Sequence, residues 1–271
     1  MTDLDAKIAS SELIIIGHGR SGSESSTLLI KEHARSIREK NLFKKVHCGF
    51  LKLSPLLTEQ LFAVKNEFVY IVPCFASPGI LTKSIIPKKL GLSGPITKNK
   101  KQTIYYSEPI GTHPKVIDRM CELAQNTLTI SNLPKNDTTL IVVGHGSLNN
   151  PQSAIDTRYV AKQISDRNIS KTVITLFLDQ TPNLSNWTIH CRTSNAIVVN
   201  YLFSGGTHET EDVPKYMGIK PTNLEERLFS QQPIGPIYSA NKRLWLCPLI
   251  SADKIIPEII IQRAKEMNLI N

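Results

Sequence analysis

The sequence lacks an apolar segment of the roughly 18 residues that a membrane-spanning helix requires, and runs such as Leu13–Ile16 have the length of a strand. Its N-terminus is acidic and precedes no apolar stretch of the signal-peptide type. The 5 cysteines are scattered and form no Cys-x-x-Cys pair, which argues against a disulfide framework and a thiolate zinc site. We therefore expect a cytoplasmic protein with reduced thiols and no membrane partner.

Aromatic residues are also scarce, at 6% of the chain, and they are not interleaved with the lysine clusters. Stacking platforms for nucleic-acid bases are therefore not expected. The formal net charge of +9 indicates an anionic partner, although charge alone does not distinguish nucleic acid, phosphate and polycarboxylates. We expect a small-molecule partner and no nucleic acid, and a steeply salt-dependent affinity for DNA would revive the alternative.

The chain contains an internal duplication. Gly17-His18-Gly19 follows the apolar run Leu13–Ile16, and Gly144-His145-Gly146 follows the apolar run Leu140–Val143, so the two histidines lie 145 − 18 = 127 residues apart. The same offset aligns three further pairs: Pro55 with Pro182, Gly79 with Gly206 and Pro87 with Pro214. Matches at one constant shift indicate two copies of one structural unit.

The offset changes towards the end of each copy. Glu108-Pro109-Ile110 best matches Cys247-Pro248-Leu249 at an offset of 248 − 109 = 139, which implies 139 − 127 = 12 inserted residues. The insertion falls near residues 219–242, which contain Pro221, Pro233, Gly235 and Pro236. This composition predicts a loop.

Each copy alternates apolar runs of strand length with helical stretches. The predicted strands are Leu13–Ile16, Val46–Leu51, Phe68–Val72 and Thr103–Tyr106, then Leu140–Val143, Thr172–Leu178, Ala196–Tyr201 and Leu244–Cys247. Apolar strands joined by helices predict a parallel sheet that is covered on both faces. The predicted fold is two tandem flavodoxin-like α/β halves, 1–130 and 131–271, which face each other across a cleft.

Three polar side chains follow neighbouring strands of the second copy. His145 ends the first strand, Asp179 ends the second, and the third leads to His208. In a sheet of strand order 2-1-3 these positions share one edge, so we expect two imidazoles and a carboxylate to converge there. Such a set suits a divalent transition metal and leaves coordination positions open. At the same offset the first copy has His18, Lys52 and Leu81, so it has kept one of the three groups.

Four motifs together resemble the class II tetrapyrrole chelatases, the CbiX-like sirohydrochlorin chelatases. They are Gly144-His145-Gly146-Ser147, Phe177-Leu178-Asp179, Gly206-Thr207-His208 through Asp212-Val213-Pro214, and Pro109-Ile110-Gly111-Thr112-His113-Pro114. The resemblance covers nearly the whole chain, in the long form that has two units.

The resemblance implies a lyase that inserts Co²⁺ or Fe²⁺ into sirohydrochlorin, for cobalamin or siroheme biosynthesis. By the same resemblance, His145 and His208 hold the metal and help to remove protons from the macrocycle. The acidic catalytic position, usually Glu, falls on Asp179, and a lysine often found in the family is replaced by Thr210. The metal is a substrate, no permanently bound cofactor is expected, and the chain is a monomer or a homodimer. The N-terminal unit carries a degenerate site.

Five further residues are candidates for contacts to the carboxylates of the substrate. The alternative is that they are ordinary solvated surface residues. These candidate substrate-binding residues are Ser147, His18, Arg20, Lys52 and Lys83. His113 receives no catalytic role, because a histidine beside a helix start is more often structural.

Two other functions are consistent with parts of the sequence. Gly17-His18-Gly19-Arg20-Ser21-Gly22 matches the Gly-x-Gly-x-x-Gly dinucleotide fingerprint, but Lys52 lies where the acidic residue of an NAD site is expected. An NADP-dependent oxidoreductase is therefore one alternative. The other is a non-enzymatic carrier of metal or tetrapyrrole on the same scaffold.

Overall fold

The computed structural model describes residues 3–19, 25–148, 150–203, 206, 208–219 and 230–270. They form two compact units. The first unit contains the described residues up to His113, together with Gly206 and the segment from Lys254 onwards, and the second contains those from Pro114 to Asp253 apart from Gly206. Within the described ranges, no helix is long and apolar enough to cross a membrane.

The first unit is built on a five-stranded sheet. Its strands are β1 (Glu12–Gly17), β2 (Lys45–Phe50), β3 (Phe68–Pro73), β4 (Ile96–Lys98) and β5 (Thr103–Tyr106). The order is β2-β1-β3-β5-β4, and the short strand β4 alone is antiparallel to its neighbour. Strand β1 is buried along its whole length, as expected for a central parallel strand with helices on both faces. The predicted 2-1-3 order is thus confirmed for this copy.

The chain of the first unit also forms short helices around the sheet. They are α1 (Asp3–Ala9), α2 (Ser25–Glu39), α3 (Leu57–Ala63), a π-helical turn (Leu81–Ile85) that continues into α4 (Ile86–Leu90), and a 3₁₀ turn (Ile110–Thr112).

The second unit repeats this architecture. Its strands are β6 (Thr138–Gly144), β7 (Thr172–Phe177), β8 (Asn195–Tyr201), β9 (Ile234–Ser239) and β10 (Lys242–Leu246), in the order β7-β6-β8-β10-β9. Its helical elements are α5 (Pro114–Ile130), α6 (Gln152–Asp166), α7 (Trp187–His190), a π-helical turn (His208–Asp212) and α8 (Val213–Tyr216), with 3₁₀ turns at Lys135–Asp137, Leu184–Asn186 and Ile250–Ala252. The last helix, α9 (Ile255–Glu266), belongs to the first unit and ends in a 3₁₀ turn at Met267–Leu269. The predicted fold class, two α/β halves with mostly parallel sheets flanked by helices, is confirmed.

The duplication extends to irregular features of the backbone. Both π-helical turns, Leu81–Ile85 and His208–Asp212, lie at the offset of 127 residues. The cis peptide bonds Ser54-Pro55 and Thr181-Pro182 also lie at this offset. The paired π-helical turns do not follow from a shared fold class alone, and they support the common origin of the two copies.

Two details of the second copy differ from prediction. Phe68 pairs with Thr103 and Asn195 pairs with Arg243, so the late offset is 243 − 103 = 140 and not 139. The match of Pro109 with Pro248 was one residue out of register. The described part of the predicted loop 219–242 contains strand β9, which pairs antiparallel with β10. The loop prediction for this segment was wrong because glycine in a strand does not always mark a loop. Gly235 lies in a strand where the ring of Trp245 packs closely, and an added Cβ would lie 2.3 Å from that ring.

The compact units differ from the contiguous ranges 1–130 and 131–271 in the placement of two helices. Helix α9 packs against α2 and β3 of the first unit, while α5 packs against α6 and β8 of the second. His113 Nε2 lies 3.2 Å from Glu266 Oε1 of α9, and Arg119 of α5 donates to Asp253 Oδ2 at 2.8 Å. His113 is buried in this contact, which supports its structural interpretation.

Replacing Gly111 by any larger residue is expected to destabilise the fold, because the backbone of Ala76 occupies the space that a side chain would need. An added Cβ would lie 2.2 Å from the carbonyl oxygen of Ala76. We expect Gly111→Ala to lower the free energy of unfolding by about 1–3 kcal/mol, measured by urea denaturation. Gly94→Ala is the matched control, since no atom lies within 4 Å of its added Cβ, and it should change stability by less than about 0.5 kcal/mol. Equal midpoints for Gly111→Ala and the unmodified chain would contradict this packing.

Candidate functional site

The turn that carries His145 depends on the glycines on both sides of it. A Cβ on Gly144 would lie 2.1 Å from Thr157 Oγ1 of α6, so strand and helix approach too closely for a side chain. Gly146 has a φ of +73°, a left-handed conformation that glycine adopts without strain. The chain therefore turns sharply after β6 and places His145 at the carboxyl edge of the sheet, where ligands of such folds bind.

His145 is half-exposed, and one of its ring nitrogens is held by the backbone. Nδ1 lies 2.9 Å from the carbonyl oxygen of Gly146. Because a carbonyl only accepts, Nδ1 carries the proton and Nε2 keeps its lone pair. The amide of Asp179 donates to the carbonyl oxygen of His145 at 2.9 Å, which ties the end of β7 to this turn. The exposed carboxylate of Asp179 lies 3.4 Å from the same Nδ1 atom.

His208 opens the π-helical turn and is held by a carboxylate one turn further on. Its Nδ1 lies 2.7 Å from Asp212 Oδ2, and an ionised carboxylate accepts, so Nδ1 is again the protonated nitrogen. Sequence reasoning quoted Asp212 only as part of a motif and gave it no role. The signal was present in the His-x-x-x-Asp spacing, because residues four apart on a helix are neighbours.

The two imidazole rings lie side by side. Their centroids are 4.8 Å apart, with the ring planes at 88°. The structure therefore places the rings of His145 and His208 next to each other. Both rings use Nδ1 for a protein contact and keep Nε2 as the nitrogen that is able to bind a metal, an arrangement common for metal-binding histidines.

Asp179 is close to His145 but does not complete a preformed metal cage. Throughout the ranges that the structure describes, no group of three or more His, Cys, Asp and Glu side chains is arranged to hold a metal ion. Asp179 approaches His145 at Nδ1, the nitrogen that already faces the Gly146 carbonyl. Its catalytic role, like those of the two histidines, stays a prediction.

The loop after His145 is ordered by two side chains. Gln180 Oε1 accepts from the amide of Ser147 at 2.9 Å, and Ser153 Oγ accepts from the amide of Gly146 at 3.2 Å. Ser147, a candidate substrate contact, is therefore positioned two residues after the first histidine. The structure does not test its predicted role.

The first unit has the same framework with other side chains. His18 follows β1 and accepts from the amide of Leu51 at 3.2 Å through its carbonyl oxygen. Lys52 and Lys83 are exposed, and Leu81 opens the π-helical turn where the second unit has His208. Arg20, the remaining candidate contact, lies outside the described residues, as does the second half of the Gly-x-Gly-x-x-Gly match, Arg20-Ser21-Gly22.

Sequence reasoning missed a buried carboxyl group beside His208. Glu209 is 0% exposed, and Ser251 Oγ lies 2.7 Å from its Oε1. The corresponding residue of the first unit, Thr82, is also buried, so the position itself faces inward in both copies. The pattern offered no signal for this, because a glutamate after a histidine reads as a surface residue.

Comparison with known proteins gives matches over most of the chain. The CbiX family model matches residues 12–127 and again 139–267. A protein of Halobacterium salinarum named probable sirohydrochlorin cobaltochelatase is 28% identical over an alignment of 271 positions. The alignment covers 94% of this chain and 90% of that protein.

Solved structures show the same fold. A multi-domain protein of Deinococcus radiodurans with structural similarity to chelatases has a TM-score of 0.70 at 22% identity, and the match covers 94% of this chain but only 54% of that one. SirB from Bacillus subtilis with Fe³⁺ has a TM-score of 0.67 at 15% identity, with 95% of each chain covered.

Proposed function

Because the chain belongs to the CbiX family, whose model matches both of its copies, we propose that it inserts a divalent metal ion into sirohydrochlorin. The observation that carries the proposal is the pair of imidazoles at the carboxyl edge of the second sheet, with centroids 4.8 Å apart. The metal is Co²⁺ or Fe²⁺, and the name of the Halobacterium salinarum relative favours cobalt. The product then serves cobalamin or siroheme biosynthesis.

Metal insertion requires that a cation be bound weakly and that two pyrrole N–H protons be removed. The Nε2 atoms of His145 and His208 suit the first task, because two imidazoles bind a transition metal and leave its other positions to the ring nitrogens of the substrate. A neutral imidazole also accepts a proton. Asp212 lies behind His208 and compensates the positive charge that this ring gains when Nε2 is protonated.

The difference between the two histidines suggests a division of labour. His145 has a neutral carbonyl behind Nδ1, with Asp179 more distant at 3.4 Å, whereas His208 has a carboxylate at 2.7 Å. We propose His208 as the principal proton acceptor and His145 as the principal metal ligand. Asp179 supports His145 from the side of Nδ1.

The substrate is rich in carboxylates, and the net charge of +9 favours its capture. Lys52 and Lys83 are exposed cations that we propose as carboxylate contacts, together with Ser147, His18 and Arg20. The absence of a permanent cofactor, a cytoplasmic location and a monomeric or homodimeric state are further predictions of the same proposal.

A spectrophotometric insertion assay tests the function directly. Sirohydrochlorin is mixed with Co²⁺, Fe²⁺ or Ni²⁺, and the change of its visible spectrum is followed with and without catalytic amounts of protein. We expect many turnovers per protein molecule with Co²⁺ or Fe²⁺. A change that stops at one equivalent would identify a carrier instead. No acceleration with any of the three metals would refute the proposal, and oxidation of added NADPH would favour the oxidoreductase.

A further inference from the structure

The first unit has a cavity of about 380 Å³ beside β2, an edge strand of its sheet. It lies between the end of α2 and the start of β2, and its lining includes Arg38, Phe43, Lys44, Lys45 and His47. The lining residues described for this cavity include no carboxylate. The metal-insertion proposal makes no use of this part of the molecule.

The cationic side chains around the cavity are positioned by neighbouring groups. Arg38 Nε donates to the carbonyl oxygen of Val46 at 3.0 Å, and the same side chain interacts with the Cys48 thiol, so the guanidinium group is held beside the start of β2. Lys44 Nζ lies 3.3 Å from Asn66 Oδ1, which holds the ammonium group near the mouth. Phe43 is buried and supplies an apolar wall. Lys45 is exposed at the first position of the strand.

One acidic side chain, Glu12, contacts a residue of the cavity lining. Glu12 of β1 is buried, and its Oε2 lies 2.5 Å from His47 Nε2, so its charge is directed to the histidine. Burial raises the pKa of the Cys48 thiol, next to His47, while the nearby charges of Arg38 and Lys31 lower it. None of the ion pairs found among the described residues near this cavity involves Arg38, Lys44 or Lys45.

The second copy keeps the charge of Lys44 but not the other charges around the cavity. At the offset of 127 residues Lys44 corresponds to Lys171, whereas Arg38 corresponds to Ser165, Lys45 to Thr172, His47 to Ile174 and Glu12 to Thr139. The strands keep the same register, since Ile14 pairs with His47 and Ile141 with Ile174. Glu12 is buried and His47 is partly buried, and a pair of this kind is costly to desolvate and gives little net stability. The shared fold therefore does not require this pair, which is a feature of the first copy.

We propose that the cavity beside β2 binds a small multivalent oxyanion through Arg38, Lys44 and Lys45. The planar guanidinium matches two oxygens of a phosphate or carboxylate group, and the ammonium groups add charge without a fixed geometry. The volume lies near the lower end of the roughly 300–1,000 Å³ typical of small-molecule sites, so the ligand is a small molecule and not a polymer. The site is independent of the chemistry at His145 and His208.

Titration calorimetry at low ionic strength tests the site with inorganic phosphate, pyrophosphate and citrate. The unmodified chain is expected to bind at least one of them saturably with 1:1 stoichiometry. In the double variant Lys44→Gln/Lys45→Gln the Kd should rise at least about tenfold, because charge-assisted hydrogen bonds are lost. Lys100→Gln/Lys101→Gln removes the same charge from adjacent exposed lysines of the same unit, and it should change the Kd less than about twofold.

The choice of ligand and variant makes every outcome decisive. Binding of the phosphates alone or of citrate alone identifies which oxyanion the site prefers. Arg38→Lys retains the charge but loses the planar donor pair, and it should weaken binding. Should the double variant unfold, the single exposed change Lys45→Gln takes its place with the same expected direction. The proposal is overturned by no saturable binding of any of the three anions, or by equal weakening in both lysine pairs.

Discussion

Replacing either His145 or His208 by alanine is expected to lower the rate of metal insertion at least about 100-fold. The two rings are neighbours, with centroids 4.8 Å apart, and we expect each of them to bind the cation through its Nε2 atom. Loss of either ring leaves a single imidazole, which neither holds the metal in place nor performs both metal delivery and proton removal. The measurement is the initial rate of insertion into sirohydrochlorin at saturating metal.

Two other histidines serve as controls for this experiment. His190 is exposed at the end of α7 in the same unit, and His190→Ala should leave the rate unchanged. His18→Ala should retain most of the activity, because Lys52 and Leu81 stand where His145 has Asp179 and His208. A rate close to that of the unmodified chain in either His145→Ala or His208→Ala would exclude the assigned site.

The placement of the two histidines could be predicted from the sequence because it depends on topology alone. Parallel strands end at one edge of the sheet, so residues that follow adjacent strands meet there whatever the details of packing. Strand β6 lies between β7 and β8, and this order brings His145 and His208 together. The apolar runs and the constant offset of the repeat were sufficient to predict it.

The partners of these histidines could not be predicted in the same way. The contact of Asp212 with His208 depends on the π-helical turn, and the hydrogen bond of the neighbouring Glu209 depends on Ser251, which is distant in sequence. The sequence also could not show in which unit helices α5 and α9 pack, for a related reason. An amphipathic pattern shows that one face of a helix is buried, but not which sheet covers it.

Asp212→Ala is expected to lower the insertion rate about 10- to 100-fold, as is typical when the partner of a metal-binding histidine is lost. Asp212 acts through His208, since its Oδ2 lies 2.7 Å from Nδ1 and keeps the lone pair on Nε2. Without it the ring is free to rotate and to change tautomer. Asp212→Asn retains an oxygen that accepts from Nδ1–H, so it should keep more activity than the alanine variant.

The neighbouring residue provides the matched control for a positioning role. Glu211 lies in the same π-helical turn and is exposed, so Glu211→Gln removes one negative charge without touching His208, and the rate should not change. The ¹⁵N chemical shifts of His208 should report the Nδ1–H tautomer in the unmodified chain and a mixture of tautomers in Asp212→Ala. A lower rate with an unchanged tautomer would mean that Asp212 supports the turn rather than the ring. An unchanged rate in Asp212→Ala would show that the insertion reaction does not depend on this hydrogen bond.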